Sequence, residues 1–357
     1  MRALLNRRAL LLAALSLPLH ARAALRFPFD FGAHPRQGIE WWYLTGVLGD
    51  PNDAANPAVN APPRFGYQLT FFRLPGPAPA DHPSGLAAKQ LLLGHVALSD
   101  LSTKTLRHTQ RLLRALPGAA YTTVGDCDVK LRDWTLKREG DGYRAAFNGP
   151  GFALQLQLAA PEPPLLQGDA GLSRKGSDPD QFSLYYSRPQ LATQAQLTLD
   201  GHSQPLAGRA WLDHEWSDTV LGDAVGWDWL GINLHDGRAL TLFQLRRTDG
   251  TRDWAGGSLR TPGQPDRSFA PEEIEMTPTR HWASPATGAR WPVAWRLKSP
   301  AGEMLLSAAF DAQEIDARRT SGLAYWEGAA HLFDSQNRPL GTGYLELTGY
   351  AGRPPLT

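Results

Sequence analysis

Asp213, His214 and Glu215 stand side by side in this chain, flanked by Trp211 and Trp216 and followed by Trp227-Asp228-Trp229. On an extended strand alternate side chains share a face, so Asp213 and Glu215 point one way and His214 and Trp216 the other. A histidine and an indole facing one cavity join an acid–base group to an aromatic wall that can stabilise a developing cation. The plainer reading is a polar strand end with two core tryptophans, and spacing by itself favours it.

A second cluster lies nearer the start: His34-Pro35, then Glu40 directly before Trp41-Trp42-Tyr43. Glu40 is a candidate for a carboxylate at a barrel mouth, its acidity weakened by desolvation; a charged residue at a strand start is the commoner case. His95, after Gly94, and Tyr185-Tyr186 are candidate cavity liners, although each alone is more often a satisfied core residue. Other chemistry finds no support. There is no GxGxxG or P-loop, no G-x-S-x-G elbow, and His214-Glu215 lacks the second histidine of HExxH. The lone Cys127 excludes an intramolecular disulfide and a paired-cysteine zinc site. No nucleotide or metal signature stands up. With 36 basic and 35 acidic side chains the net charge is +1, which gives no electrostatic reason to expect nucleic acid.

The elements that must position these residues read as short strands. With 35 Gly and 29 Pro in 357 residues, turns are frequent and long helices few. Strand patterns cover Trp41 to Leu48, Tyr67 to Leu74, Phe152 to Leu158, Ala195 to Leu199, Leu240 to Leu245 and Tyr344 to Thr348. Leu101 to Leu116 has some helical spacing, but its end at Pro117-Gly118 makes it one short helix at most. The segment Trp41–Asp50 resembles Trp227–Asp236, and a similar strand follows each. A hairpin recurring half a chain later implies two related β-domains, with the boundary around Asp200–Gly208. Chance matching of aromatic strands is the alternative. At the N-terminus Arg2, Arg7 and Arg8 precede an apolar stretch, Ala9 to Leu19, and Ala21-Arg22-Ala23 has the small-x-small form of a cleavage site. This predicts a signal peptide over residues 1-23, exported by the general or the twin-arginine route. The mature chain would then be periplasmic or secreted, with no transmembrane segment.

His34-Pro35, Glu40-Trp41-Trp42-Tyr43-Leu44-Thr45-Gly46, Gly66-Tyr67-Gln68, Gly94-His95 and Trp211-Leu212-Asp213-His214-Glu215-Trp216 together resemble the AttH/CrtC-like family, which includes carotenoid 1,2-hydratases. The resemblance implies an all-β protein of two lipocalin-like antiparallel β-barrel or sandwich domains, residues 24-205 and 206-357, with a shared interface cavity. It implies an apolar small-molecule ligand, isoprenoid or lipid-like, and a cofactor-independent hydro-lyase of the carotenoid 1,2-hydratase type. The family's His-x-Trp matches His214 and Trp216. On this reading His214 handles a proton, oriented by Asp213 or Glu215. Trp216, Trp227, Trp229, Glu40, Trp41, Trp42, Tyr43, His95 and Tyr185 bind the ligand. The family's Tyr-x-Asp pair has no counterpart in Thr241-Leu242-Phe243-Gln244-Leu245, which leaves the catalytic acid unassigned. The alternative is a non-catalytic periplasmic carrier that passes a lipid to an envelope ABC-type transporter.

Overall fold

The computed structural model describes residues 25–51, 63–218, 224–318 and 320–352. The expected signal peptide and most of the Pro- and Asn-rich insertion near residues 51-65 lie outside them. Among the described residues no helix is long and apolar enough to cross a membrane.

Alternation becomes strand almost throughout. The first sheet opens with a meander of β1 (Ile39–Gly49), β2 (Phe65–Pro75), β3 (Gln90–Asp100) and β4 (Thr105–Arg114). Shorter strands follow: β5 (Ala120–Thr122), β6 (Asp128–Leu131), β7 (Trp134–Glu139), β8 (Gly142–Gly149) and β9 (Phe152–Ala159). Two brief segments, β10 (Leu165–Leu166) and β11 (Leu172–Arg174), precede a long hairpin, β12 (Phe182–Leu199) and β13 (His202–Ser217). The second sheet begins with its own meander, β14 (Gly226–Leu234), β15 (Ala239–Arg246), β16 (Arg252–Arg260) and β17 (Arg267–Phe269). It continues through β18 (Glu275–Ala283), β19 (Arg290–Ser299), β20 (Gly302–Ala308), β21 (Glu314–Ala317), β22 (Leu323–Asp334) and β23 (Pro339–Leu347). The fold is all-β, two antiparallel sheets forming one nearly closed barrel and one half-barrel, as two lipocalin-like domains require.

The two sheets share a plan. In the first, β1 lies between β2 and the late strand β13; in the second, β14 lies between β15 and the last strand, β23. Each domain also buries an acid near the start of its first strand against an arginine on the second. Glu40 meets Arg73 at 2.8 Å, and Asp228 meets Arg246 at 2.9 Å. The recurring hairpin is therefore matched in topology and in a buried ion pair.

Two expectations are corrected. The boundary at 205/206 falls inside the β12–β13 hairpin: β13, which carries Asp213–Trp216, belongs to the first sheet, and the change of sheet comes between Ser217 and Gly226. A turn at Asp200-Gly201 resembled a linker because hairpin turns and linkers draw on the same polar and Gly residues. The short helix over Leu101–Leu116 is absent. Asp100 accepts hydrogen bonds from the Ser102 and Thr103 backbones, Lys104 takes a left-handed φ of 55°, and the chain returns as β4. Pairing with β3 over ten residues supplies what an isolated helical spacing could not.

Each domain packs its own core, and a third apolar cluster lies between the sheets. Tyr43, Val47 and Trp211 of the first domain meet Trp229, Phe243, Ala329 and Tyr344 of the second. Gly66 lets the sheets approach closely: a Cβ there would stand 2.7 Å from the Tyr344 hydroxyl and 3.0 Å from the Ala329 Cβ. Each large apolar side chain buried in such a seam contributes about 1.5–3 kcal/mol.

Candidate functional site

Strand register lays the outer face of the first sheet out as a grid. Across β2, β1, β13 and β12 one row reads Phe72, Trp41, Glu215, Tyr185, and the next reads Thr70, Tyr43, Asp213, Ser187. Across β15, β14, β23 and β22 the facing row of the second sheet reads Phe243, Trp229, Glu346, Glu327. Between these faces lies a cleft of about 90 Å³. Its inner wall adds Gln68, Tyr325 and Leu323, and Lys175 from the turn after β11 stands over it. Trp41, Phe72, Lys175 and Trp227 are half-buried and form the mouth; Tyr43, Gln68, Asp213, Tyr185 and Glu327 are buried within.

Four carboxylates thus share an aromatic-walled space with one cation. Asp213 accepts from Ser187 Oγ at 2.5 Å and Trp211 Nε1 at 2.7 Å through Oδ1, and from the Tyr185 hydroxyl at 2.8 Å through Oδ2. Burial nevertheless pushes its pKa up to about 7, against those hydrogen bonds and helped by the charge of Glu215. Glu215 takes the Lys175 ammonium at 2.7 Å and a hydrogen bond from Ser183. That ammonium also sits 4.5 Å from the Phe243 ring centre and 5.1 Å from that of Tyr185. Glu327 and Glu346 stand directly opposite each other on adjacent strands, where two negative charges repel. Burial raises Glu327 well above the carboxylate range, with Glu346 adding to the rise. Burial lifts Glu346 to about 8, opposed by a hydrogen bond from Trp227 and reinforced by Asp213 and Glu215. At neutral pH the cleft therefore holds protonated carboxylic acids beside aromatic faces.

The structure divides the expected site residues. Asp213, Glu215, Trp41, Tyr43, Tyr185, Trp227 and Trp229 line the cleft. His95 stands one residue behind it, Nδ1 at 2.7 Å from the Tyr325 hydroxyl, with burial holding its pKa near 3 and the ring neutral. His214, Trp216, Trp42 and Glu40 are not on the cleft. The two faces of the Asp213–Trp216 strand separate as alternation requires, but the roles are reversed: His214 and Trp216 point into the first barrel. There the His214 Nε2–H donates to Glu40 Oε1 at 2.9 Å, its Nδ1 lies 3.1 Å from the Tyr186 hydroxyl, and the ring stacks on Trp42 at 4.6 Å. Trp216 stacks on His34 at 3.7 Å. Burial would raise Glu40, but hydrogen bonds from His214 and His34 outweigh it and bring its pKa down to about 2, the opposite of the weakened acid expected.

His34, Glu40 and His214 bring their potential ligand atoms within 4.8 Å of one another. Direct hydrogen bonds of 2.8 and 2.9 Å already join them, and Arg73 holds the second Glu40 oxygen. A guanidinium on the same carboxylate opposes a metal cation, so this knot serves the fold. Asp228 is likewise occupied, by Arg246, Gln244 and Tyr350. Gln244, in the segment lacking a tyrosine and an acid, thus supports a buried carboxylate, while its neighbour Phe243 faces the cleft.

Glu327, Glu346, Gln68, Tyr325 and Lys175 were not among the expected site residues. The signal for the two acids was present: Glu327 sits in the run Leu323-Ala324-Tyr325-Trp326-Glu327-Gly328-Ala329-Ala330, and Glu346 between Leu345 and Leu347. A carboxylate embedded in an apolar strand is buried with a purpose more often than exposed.

Fold and cleft together define the class: a lipocalin-like protein of two β-domains whose seam carries buried acids between aromatic walls. The chain belongs to the AttH-like family, whose model matches residues 18–350. A crystal structure described as an AttH from Nitrosomonas europaea is 41% identical, covers 94% of this chain and 99% of its own, and superposes with a TM-score of 0.83. Kievitone hydratase from Nectria haematococca shares the fold at 16% identity, covering 94% of this chain and 95% of its own, TM-score 0.67. CghA does so at 13% identity and 88% of both chains, TM-score 0.51. No curated protein matches the sequence.

Proposed function

We propose that the protein is a cofactor-independent hydro-lyase that adds water to, or removes it from, one end of an extended apolar ligand, isoprenoid or lipid-like, held in the cleft. The observation that carries this reading is a buried carboxylic acid, Asp213, with a pKa near 7, bonded to a tyrosine hydroxyl in an aromatic-walled space. A general acid works best when its pKa lies near the working pH. In the hydration direction protonated Asp213 passes its proton to the Tyr185 oxygen as the Tyr185 hydroxyl proton goes to an alkene carbon. The resulting carbocation lies against Trp41, Trp229 and Tyr43, whose ring faces stabilise positive charge. Water then bonds to the cationic carbon and its surplus proton returns to the ionised Asp213. Ser187 and Trp211 hold the Asp213 anion in the interval.

The test is incubation with a linear isoprenoid alkene in ¹⁸O-labelled water. A labelled alcohol detected by mass spectrometry is the expected product; recovery of the alkene unchanged across a panel of chain lengths would sink the reaction. That Asp213 already has three hydrogen-bond partners favours a second reading, a carrier that holds the same ligand without chemistry and delivers it to an envelope transporter. Unaltered lipid bound at the cleft, with no labelled product, is its signature.

The amino-terminal segment supports export to the periplasm or beyond. Fractionation of the native host should find the protein outside the cytoplasm with its mature chain starting at Ala24; an intact Met1 on a cytoplasmic protein contradicts this.

A further inference from the structure

We propose that Gln68, Glu327 and Tyr43 form a subsite for an alcohol hydroxyl on the ligand. The proposal rests on the cleft being the ligand site and holds whether the ligand is transformed or only carried. Gln68 is 1% exposed, and its Nε2 faces Glu327 Oε2 at 2.6 Å, Thr70 Oγ1 at 2.9 Å and the Tyr325 hydroxyl at 3.2 Å. Its Oε1 is buried with no partner at all. Turning the amide over exchanges the two ends and still leaves one of them unpaired. Glu327, 2% exposed, and the Tyr43 hydroxyl beside it interact with each other, but too loosely for a full hydrogen bond, and the Glu327 Oε1 and the Tyr43 hydroxyl have no other partner. All three side chains line the cleft.

Buried polar atoms normally have partners, because leaving one unpaired forfeits its hydration with nothing in return. The other cleft carboxylates of the first domain follow that rule: Asp213 has three partners and Glu215 has Lys175 and Ser183. Among the side chains that line the cleft, the unpaired atoms lie at the Gln68 end, where a ligand group would complete them.

The chemistry of that group follows from what surrounds it. Glu327 is held neutral by burial and by Glu346, so its carboxyl both donates and accepts. The Tyr43 hydroxyl does the same, and Gln68 offers one end of an amide. A ketone or ether oxygen, which only accepts, satisfies part of this set, whereas an alcohol donates and accepts at once. An ammonium would have to ionise two facing acids. Tyr325 keeps the arrangement in place, anchored from behind by neutral His95.

The experiment compares geraniol with geranyl methyl ether, which has the same chain and an oxygen that cannot donate. Binding is read from tryptophan fluorescence, since Trp41, Trp227 and Trp229 line the cleft. The unsubstituted protein should bind geraniol about tenfold more tightly than the ether, the scale of one net hydrogen bond. In Gln68→Met that ratio should fall to within about twofold while the ether keeps its affinity within about threefold. Tyr43→Phe, which removes only a hydroxyl, gives the same comparison should Gln68→Met fail to fold. Equal affinity for alcohol and ether in the unsubstituted protein, or a ratio unmoved in both variants, overturns the subsite and leaves the cleft reading intact. Tighter binding of geranylamine than of geraniol also overturns it, in favour of a cation site. If neither probe perturbs the fluorescence, the subsite and the cleft as ligand site fall together.

Discussion

An Asp213→Asn variant is expected to lose about 10²- to 10⁴-fold in kcat while KM stays within a few-fold, the range for removal of a positioned general acid. Asparagine preserves the shape of the side chain and can still meet Tyr185, so the loss isolates the proton. In the unsubstituted protein the hydration rate should be highest below about pH 7 and fall as pH rises through the Asp213 pKa, because only the protonated acid can donate. Stability follows with the same sign. The unfolded aspartate titrates near 3.9 and the folded one near 7, so between those values the folded state holds a proton that the unfolded state has released. Stability therefore declines as pH rises from about 4 to about 7 and levels off above. Asp213→Asn should flatten part of that decline in urea titrations run at each pH. A variant with normal kcat would remove Asp213 from the chemistry and leave the carrier reading.

Glu40→Gln should have the largest effect on folding, a loss of about 3–5 kcal/mol, the scale for breaking a buried ion pair by removing one partner. Arg73 is 0% exposed, and Glu40 is its ionic partner. The same carboxylate ties His34 and His214 together, so their stacking on Trp216 and Trp42 loosens with it. Urea denaturation at pH 7 measures the loss. Because Glu40 is held near pKa 2 when folded and titrates near 4.5 otherwise, its contribution is complete above the unfolded value and is lost as pH falls toward 2. His214→Ala should act in the same direction, through stability and with little change in ligand affinity, since its ring lies across the sheet from the cleft. A Glu40→Gln protein as stable as its parent would show that Arg73 is satisfied by its bond to the Gln37 carbonyl.

How much of this could be read from the chain differs from element to element. Phe152–Ala159 buries its leucines and exposes its glutamines as the pattern predicts, because a half-buried antiparallel strand imposes a period of two on its own residues. The recurrence of Trp41–Asp50 at Trp227–Asp236 signalled two domains for a similar reason: each copy must build the same local hairpin. Leu101–Leu116 misled because helical spacing over one turn or two is weak against a ladder of ten strand pairs.

The sequence by itself determined that Asp213 and Glu215 share one face and His214 and Trp216 the other, since side-chain alternation belongs to the strand alone. It also determined that an acid would sit beside Trp41-Trp42-Tyr43, and that its neighbours would be strands. Which face meets a ligand was decided only by tertiary structure. The first sheet curls so that His214 and Trp216 turn inward, and the second sheet covers the opposite face. That choice depends on contacts between residues more than a hundred positions apart, such as Gln68 with Glu327 and His95 with Tyr325. The acidity of the site was decided there too. A carboxylate's pKa answers to desolvation and to the charges placed beside it, and neither exists until both domains have folded against each other.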